Sequence, residues 1–178
     1  MEAYEKKRLL DSFEILVDTR EQQTQKLENR CGDFGCGYQR ATLDYGDYAY
    51  NIKLPGGMSL HDTADRVSAF AVVERKMNLD ELAICLTSQR ERFVRELERA
   101  RENQARVYLL VENGDWDMII AGKYKSWMRP KAYAASLSTF MARYNLQIVF
   151  VSDYNSGILI KDILFHDCRE RLERGDFG

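Results

Sequence analysis

Proline is scarce in this chain, with two residues in 178, and no linker, low-complexity segment or internal repeat divides it. No apolar run approaches the ~20 residues needed to span a membrane. The N-terminus, Met1-Glu2-Ala3-Tyr4-Glu5-Lys6-Lys7-Arg8, lacks the apolar core of a signal peptide. Membrane-embedded and secreted classes are set aside, and a soluble, intracellular protein is expected. A disulfide framework is missing as well. Cys31, Cys36, Cys85 and Cys168 show no paired pattern, and in a reducing cytosol they read as free thiols. Neither Cys31 with Cys36 nor His166 with Cys168 has the spacing of a standard zinc knuckle.

An excess of one charge is also lacking. The formal net charge is −2, which limits long-range attraction to a polyanion, although a local stripe can still hold phosphates. Such a stripe exists. Gly122 to Lys131 carries Lys123, Lys125, Arg129 and Lys131, the aromatics Tyr124 and Trp127, and no acid. Trp127 has two readings here. It stacks on an unpaired base while the four cations hold phosphates, or it is a loop tryptophan that covers the core. Arg90 to Arg106 adds further arginines, alternating with glutamates.

The length suits one domain with a core of its own. Phe13 to Asp18, Tyr38 to Leu43, Tyr48 to Leu54, Ala69 to Glu74, Val107 to Val111 and Leu146 to Val151 read as strands. Pro55-Gly56-Gly57 is a turn, with Met58 to Leu60 as a returning hairpin arm. Helices are expected over Gln22 to Arg30, from an Asn78 cap with Glu81 behind it, over Trp116 to Ala121, from Pro130 to Arg143 or Tyr144, and over Gly157 to Arg174. The helical stretch after Asn78 buries Leu82, Leu86, Phe93, Val94, Leu97 and Ala100 and breaks near Thr87-Ser88-Gln89. Strands alternating with helices indicate an α/β fold with a mixed sheet. Its core spans about residues 13–151, and the last helix about 157–174.

Carboxylates fall just past apolar runs at Asp18, Asp47 and Glu74. Strand ends are where an α/β sheet gathers polar groups from distant sequence into one crevice. Two carboxylates about 4 Å apart repel by roughly 4 kcal/mol at an effective dielectric of about 20, so a cation is expected between them. Mg²⁺ takes oxygen ligands and keeps several waters, and Asp47, Glu74 and the Arg75 carbonyl would suit it. Glu74 and Lys76 are two apart on a strand and face one side, while Arg75 faces the other. Acids beside one lysine are the equipment for metal-assisted phosphodiester cleavage. Each piece also has a plain reading: a solvated strand boundary for Glu74-Arg75-Lys76, a turn for Gly46-Asp47, a helix cap for Asp18-Thr19-Arg20-Glu21.

Taken together, Val17-Asp18-Thr19-Arg20-Glu21, Leu43-Asp44-Tyr45-Gly46-Asp47-Tyr48 and Val73-Glu74-Arg75-Lys76-x-x-x-Asp80 resemble the nuclease domain of the XPF-type endonucleases. Ser88-Gln89-Arg90-Glu91-Arg92-Phe93 is similar to that family's serine-and-arginine segment. The resemblance covers roughly Phe13 to Val151. It implies a restriction-endonuclease-like fold and Mg²⁺- or Mn²⁺-dependent cleavage of DNA at branched or single/double-strand boundaries, in DNA repair or recombination. It implies Asp47 and Glu74 as metal ligands, Lys76 as the catalytic lysine and Asp18 as an additional acid near the metal. Arg20, Glu21, Arg75 and Asp80 become active-site supports, and Arg20 and Arg90 join the basic stripe as DNA contacts.

Beyond Val151 there is no room for the helix-hairpin-helix or helicase modules of larger members. A stand-alone, cytoplasmic, bacterial or phage-encoded form is therefore expected. Besides DNA, the candidate partners are a second copy of the chain and a protein that grips duplex. A non-catalytic DNA-binding or scaffold module, or a resolvase or restriction-type enzyme of the same broad fold, stays open as an alternative.

Overall fold

The computed structural model describes residues 3–177. Its first helix, Ala3–Leu10 (α1), was not anticipated from sequence; Leu9 buries on the core and Lys6 pairs with Glu173 near the opposite terminus. Strand β1 is Glu14–Asp18. Helix α2, Gln25–Gly32, starts later than Gln22 because Thr24 takes the N-cap, its hydroxyl accepting the Leu27 N–H at 3.2 Å. Strands β2 (Gly37–Ala41), β3 (Tyr48–Asn51) and β4 (Ala71–Lys76) follow. Met58 to Leu60 makes a single bridge at Lys53–Ser59, with Leu54 N–H donating to Met58 and Leu60 N–H to Ile52. Met58 is exposed, so no buried face extends that pairing into a strand.

Asn78 caps helix α3 (Leu79–Leu86), accepting the Glu81 N–H at 2.9 Å. Glu81 reaches back to the Met77 N–H at 2.7 Å, a reciprocal arrangement close to a capping box. Helix α4 is Arg90–Glu102, β5 Arg106–Glu112, α5 Trp116–Ile120, α6 Pro130–Tyr144 and β6 Gln147–Val151. A short 3₁₀ turn leads into α7, Ser156–Arg174.

The strands form one mixed sheet in the order β2-β1-β3-β4-β5-β6. Its pairings are parallel except where β3 enters, antiparallel to both β1 and β4. The two-residue period of the strands sends Leu16, Ala49, Val72, Leu109 and Val111 to a core with α3, α4 and α6. It sends Ile15, Val17, Tyr50, Val73 and Leu110 to a second core with α1, α2 and α7. Helices thus cover both faces. Of the apolar residues on α7, Leu164 is fully buried and Leu159, Ile163 and Phe165 pack partly on the core, whereas Ile158 is half exposed. Among the described residues no helix is long and apolar enough to cross a membrane.

Helix α7 approaches α2 through Gly157, where an added Cβ would lie 2.4 Å from the Arg30 carbonyl oxygen. Backbone cannot give way there as a flexible side chain would. Gly157→Ala is expected to destabilise the fold by about 1–3 kcal/mol, read as a lowered midpoint in urea. An unchanged midpoint would mean that the two helices do not close this tightly.

Candidate active site

Because β3 runs against its neighbours, its first residues meet the C-terminal ends of β1 and β4. Asp18 ends β1, Asp47 precedes β3 and Glu74 lies near the end of β4. The sequence reading put Asp47 after an apolar strand; it stands before one. Two backbone–backbone bonds and one from a backbone N–H to its carboxylate fix it. Asp47 N–H donates to the Val73 carbonyl at 2.9 Å, Asp18 N–H donates to the Asp47 carbonyl at 2.9 Å, and Arg75 N–H donates to Asp47 Oδ2 at 2.7 Å. The preceding Gly46 has φ +74°, and a Cβ there would fall 2.6 Å from Val72 Cβ. Glycine is therefore required both by the left-handed backbone and by the close approach to β4.

Asp47, Glu74, Lys76, Arg20, Glu21, Glu81, Cys85 and Glu96 line one cleft of about 270 Å³. Lys76 Nζ lies 2.5 Å from Glu74 Oε1 and 5.7 Å from the centre of the Phe93 ring. Burial works against the ammonium, but the charges of Glu74 and Asp47 outweigh it and hold Lys76 protonated. Asp47 is pushed well above the usual carboxylate range, first by burial and then by the facing Glu74. Glu96 is raised by the same two causes. Among the described residues, five acids (Glu21, Asp47, Glu74, Glu81, Glu96) and four cations (Arg20, Arg75, Lys76, Arg92) line the cleft, with Lys76 the cation in contact with Glu74.

Behind it lies a second charged layer. Arg75 turns to the opposite face of the sheet, its Nη1 3.0 Å from Glu112 Oε2 and its Nη2 3.8 Å from Glu21 Oε2. Buried Arg30 closes the set, donating to Glu112 Oε1 at 3.2 Å, to the Tyr48 hydroxyl at 3.2 Å and to Ser156 Oγ at 3.2 Å. Tyr48 in turn donates to Glu21 Oε2 at 3.0 Å.

The family model of the ERCC4 domain matches residues 17–161. The chain belongs to that family, the XPF nuclease domain. In keeping with this, the fold matches XPF from Aeropyrum pernix with a TM-score of 0.59 at 17% identity, over 86% of this chain and 61% of that one. A structure of the same archaeal protein in complex with DNA matches with a TM-score of 0.61, again at 17% identity, over 89% and 66%. The chain thus spans less than two thirds of the length of these relatives, and the likeness establishes the restriction-endonuclease-like fold. No curated protein matches the sequence.

Within this ERCC4 domain, the motif residues separate by position. Asp47, Glu74 and Lys76 meet in the cleft. Asp18 does not line it: fully buried, its carboxylate accepts from the Arg20 backbone N–H at 2.7 Å, Arg20 Nε at 2.7 Å, Arg20 Nη2 at 2.9 Å and the Leu43 N–H at 2.9 Å. Those bonds occupy the oxygens a metal would need and aim Arg20 into the cleft. Asp80 lies outside the cleft lining, on the loop side of α3, accepting the N–H groups of Lys125 and Ser126. Arg90 lays its guanidinium 4.8 Å from the Phe140 ring centre. Lys123, Lys125, Trp127, Arg129 and Lys131 are all exposed, so the reading of Trp127 as a core cover is overturned.

Glu96 escaped the sequence reading. It sits on α4 among charged residues of ordinary helical spacing, yet its carboxylate accepts the Gly46 N–H at 3.1 Å and closes the cleft opposite β4. Its place four residues before Ala100 and three after Phe93, on the margin of the buried stripe, was the available signal.

The donors present suit a small hard cation. Among the described residues no three His, Cys, Asp or Glu side chains stand ready as ligands of one ion. Mg²⁺ is ordinarily held by one or two carboxylates with water completing the shell, and Asp47 with Glu74 supplies that pair. The raised proton affinity of Asp47 has a testable sign. A carboxyl raised in the folded state keeps its proton longer than in the unfolded chain, so stability falls as pH rises through its folded pKa. Metal-free Asp47→Asn, whose amide oxygen can still accept the Arg75 N–H, should melt above the parent by about 1 kcal/mol equivalent. The gap should widen with pH and vanish near about pH 4. Identical melting from pH 4 to 8 would contradict the assigned charge conflict.

Proposed function

We propose that the chain is a divalent-metal-dependent endodeoxyribonuclease that hydrolyses phosphodiester bonds at branched or single/double-strand boundaries. The observation that carries this reading is the meeting of Asp47 and Glu74 around Lys76 in one open cleft. Membership of the ERCC4 domain family supports the same reaction class, and the archaeal XPF has been seen with DNA bound.

Asp47 and Glu74 would hold Mg²⁺ or Mn²⁺. When bound, the ion supplies a polarised phosphoryl oxygen and a more acidic water. The remaining work falls to the chain. Held protonated beside Glu74, Lys76 acts as a cation and hydrogen-bond donor toward the water or the phosphoryl oxygens. Arg20, bidentate on Asp18 and side-chain exposed to nearly half, presents positive charge to an incoming phosphate without freedom to swing away. Glu96 fixes the Gly46–Asp47 turn from α4, and Arg75 with Glu112 fixes the strand from behind.

Asp18 is assigned a positioning role through Arg20, and Asp80 one through the 121–129 loop. The first Asp-x-Arg of the motif set therefore serves the substrate side of the cleft, while the Gly-Asp and Glu-x-Lys pieces serve the chemistry.

The test is cleavage of a 3′-flap, a fork, a four-way junction and a matched duplex with Mg²⁺, Mn²⁺ or EDTA. Metal-dependent cutting is expected. Lys76→Ala should slow it about 10²–10³-fold, as loss of a preorganised donor does, while DNA is still bound. If the parent binds these DNAs but cuts none with either metal, the chain is a DNA-binding or scaffold module.

A further inference from the structure

The segment 121–129, between α5 and α6, is exposed along much of its length, yet it is held at many points. Asp80 Oδ1 accepts the Lys125 N–H at 2.6 Å and the Ser126 N–H at 2.9 Å. Tyr124 donates its hydroxyl to the Met128 carbonyl at 2.7 Å, and Ser126 Oγ accepts the Met128 N–H at 3.2 Å. The Tyr124 ring meets Tyr133 edge-on at 5.1 Å, and Lys123 N–H donates to the Met118 carbonyl at 2.8 Å. At the tip of this fastened loop, Trp127 is 101% exposed. The other tryptophan, Trp116, behaves ordinarily and packs on Phe150 at 5.9 Å.

A fully solvated indole contributes nothing to the core, and a loop fixed by so many bonds is not needed merely to carry it. The surrounding charge says what it would meet. Lys123, Lys125, Arg129 and Lys131 are exposed, the stretch from Gly122 to Lys131 contains no acid, and among the described residues none of the four cations is in an ion pair. Asp80, the nearby acid, is occupied by the two loop N–H groups. That combination of aromatic face and unpaired cations fits a single strand of nucleic acid better than a protein surface. The anchor adjoins the cleft, because Asp80 is followed directly by Glu81, which lines it.

We propose that Trp127 is a stacking platform for an unpaired base flanking the phosphate in the cleft, with Asp80 as the positioning residue that ties this platform to α3, the helix that follows the catalytic strand. The proposal rests on the nuclease reading and adds to it how single strand is told from duplex. A base paired and stacked within a helix has both faces covered, whereas an unpaired base at a strand boundary can leave its stack for the indole. Because the loop is already ordered, little freedom is lost on binding.

The experiment uses the full chain carrying Trp116→Phe, so that Trp127 alone reports. Ca²⁺ replaces Mg²⁺ to hold off cutting. Oligothymidylate and a blunt duplex hairpin are titrated while indole fluorescence and the anisotropy of labelled DNA are followed. Quenching by oligothymidylate and little by the hairpin is expected. Trp127→Ala should weaken oligothymidylate binding about 5–150-fold, the equivalent of one lost stack, and Trp127→Phe should recover most of it. Asp80→Ala should give a smaller loss with Trp127 still present.

Single-strand binding seen by anisotropy without quenching, or with equal affinity in Trp127→Ala, overturns the platform and leaves the nuclease reading intact. Equal quenching by the hairpin overturns the selection for single strands. Failure to bind either DNA overturns both readings.

Discussion

Strand β3 enters the sheet against the direction of β1 and β4, and it brings Asp47 between two strand ends that the chain reaches at quite different points. Two backbone bonds of Asp47, to Val73 and from Asp18, belong to that antiparallel entry, and the Arg75 N–H then donates to the Asp47 carboxylate itself. The sheet thereby sets both the position of the residue and the direction of its side chain. A site built on strand termini in this way is held more tightly than one carried by a free loop. Gly46 is the one residue for which the turn leaves no substitute, since the backbone is left-handed and Val72 fills the space where a Cβ would sit.

The charge arrangement follows from that placement. Asp47 and Glu74 face each other with Lys76 beside them, and Glu96 adds a further acid from the helix that covers the same face. Folding alone does not neutralise this group. On the opposite face of β4 the pattern is the reverse: Arg75, Arg30, Glu112, Glu21 and Tyr48 satisfy one another, with only Arg75 Nε lacking an acceptor. A buried network holds the end of β4 in place, while on the cleft side burial and the facing Glu74 keep the proton affinities of Asp47 and Glu96 raised. The contrast separates residues that fix the strand from residues left for a ligand.

Much of the fold was legible because the strands are short apolar runs with polar ends and the helices carry recognisable caps, as at Asn78 and Pro130. The failures have physical causes. The start of α2 was misplaced because Thr24, one of several polar residues in a row, takes the cap. The hairpin after Pro55 does not close into a strand because Met58 has nothing to bury against. Helix α1 is short and polar, and only its packing through Leu9 and the Lys6–Glu173 pair singles it out. Glu74 and Lys76 were placed on one side by strand periodicity alone, and the structure brings both into the cleft with Arg75 behind. The saturation of Asp18 by Arg20, two residues on, is local and went unread. What sequence could not give was Glu96, whose approach to Gly46 depends on how α4 crosses the sheet, a tertiary fact. The exposure of Trp127 is another, since a basic loop with one tryptophan reads equally as cover or as platform.

The central claim is that the cleft carries a carboxyl raised by burial and by a facing acid, and that a divalent cation relieves the conflict. Calorimetric titration of the protein with Mn²⁺ at neutral pH, in two buffers of different ionisation enthalpy, tests it most directly. A carboxylate ligand must be deprotonated to bind, so ion binding should release protons. The measured heat should differ between the buffers, and Asp47→Asn should abolish both the binding and the difference. Absence of Mn²⁺ binding, or binding with the same heat in both buffers and unchanged in Asp47→Asn, would contradict the claim.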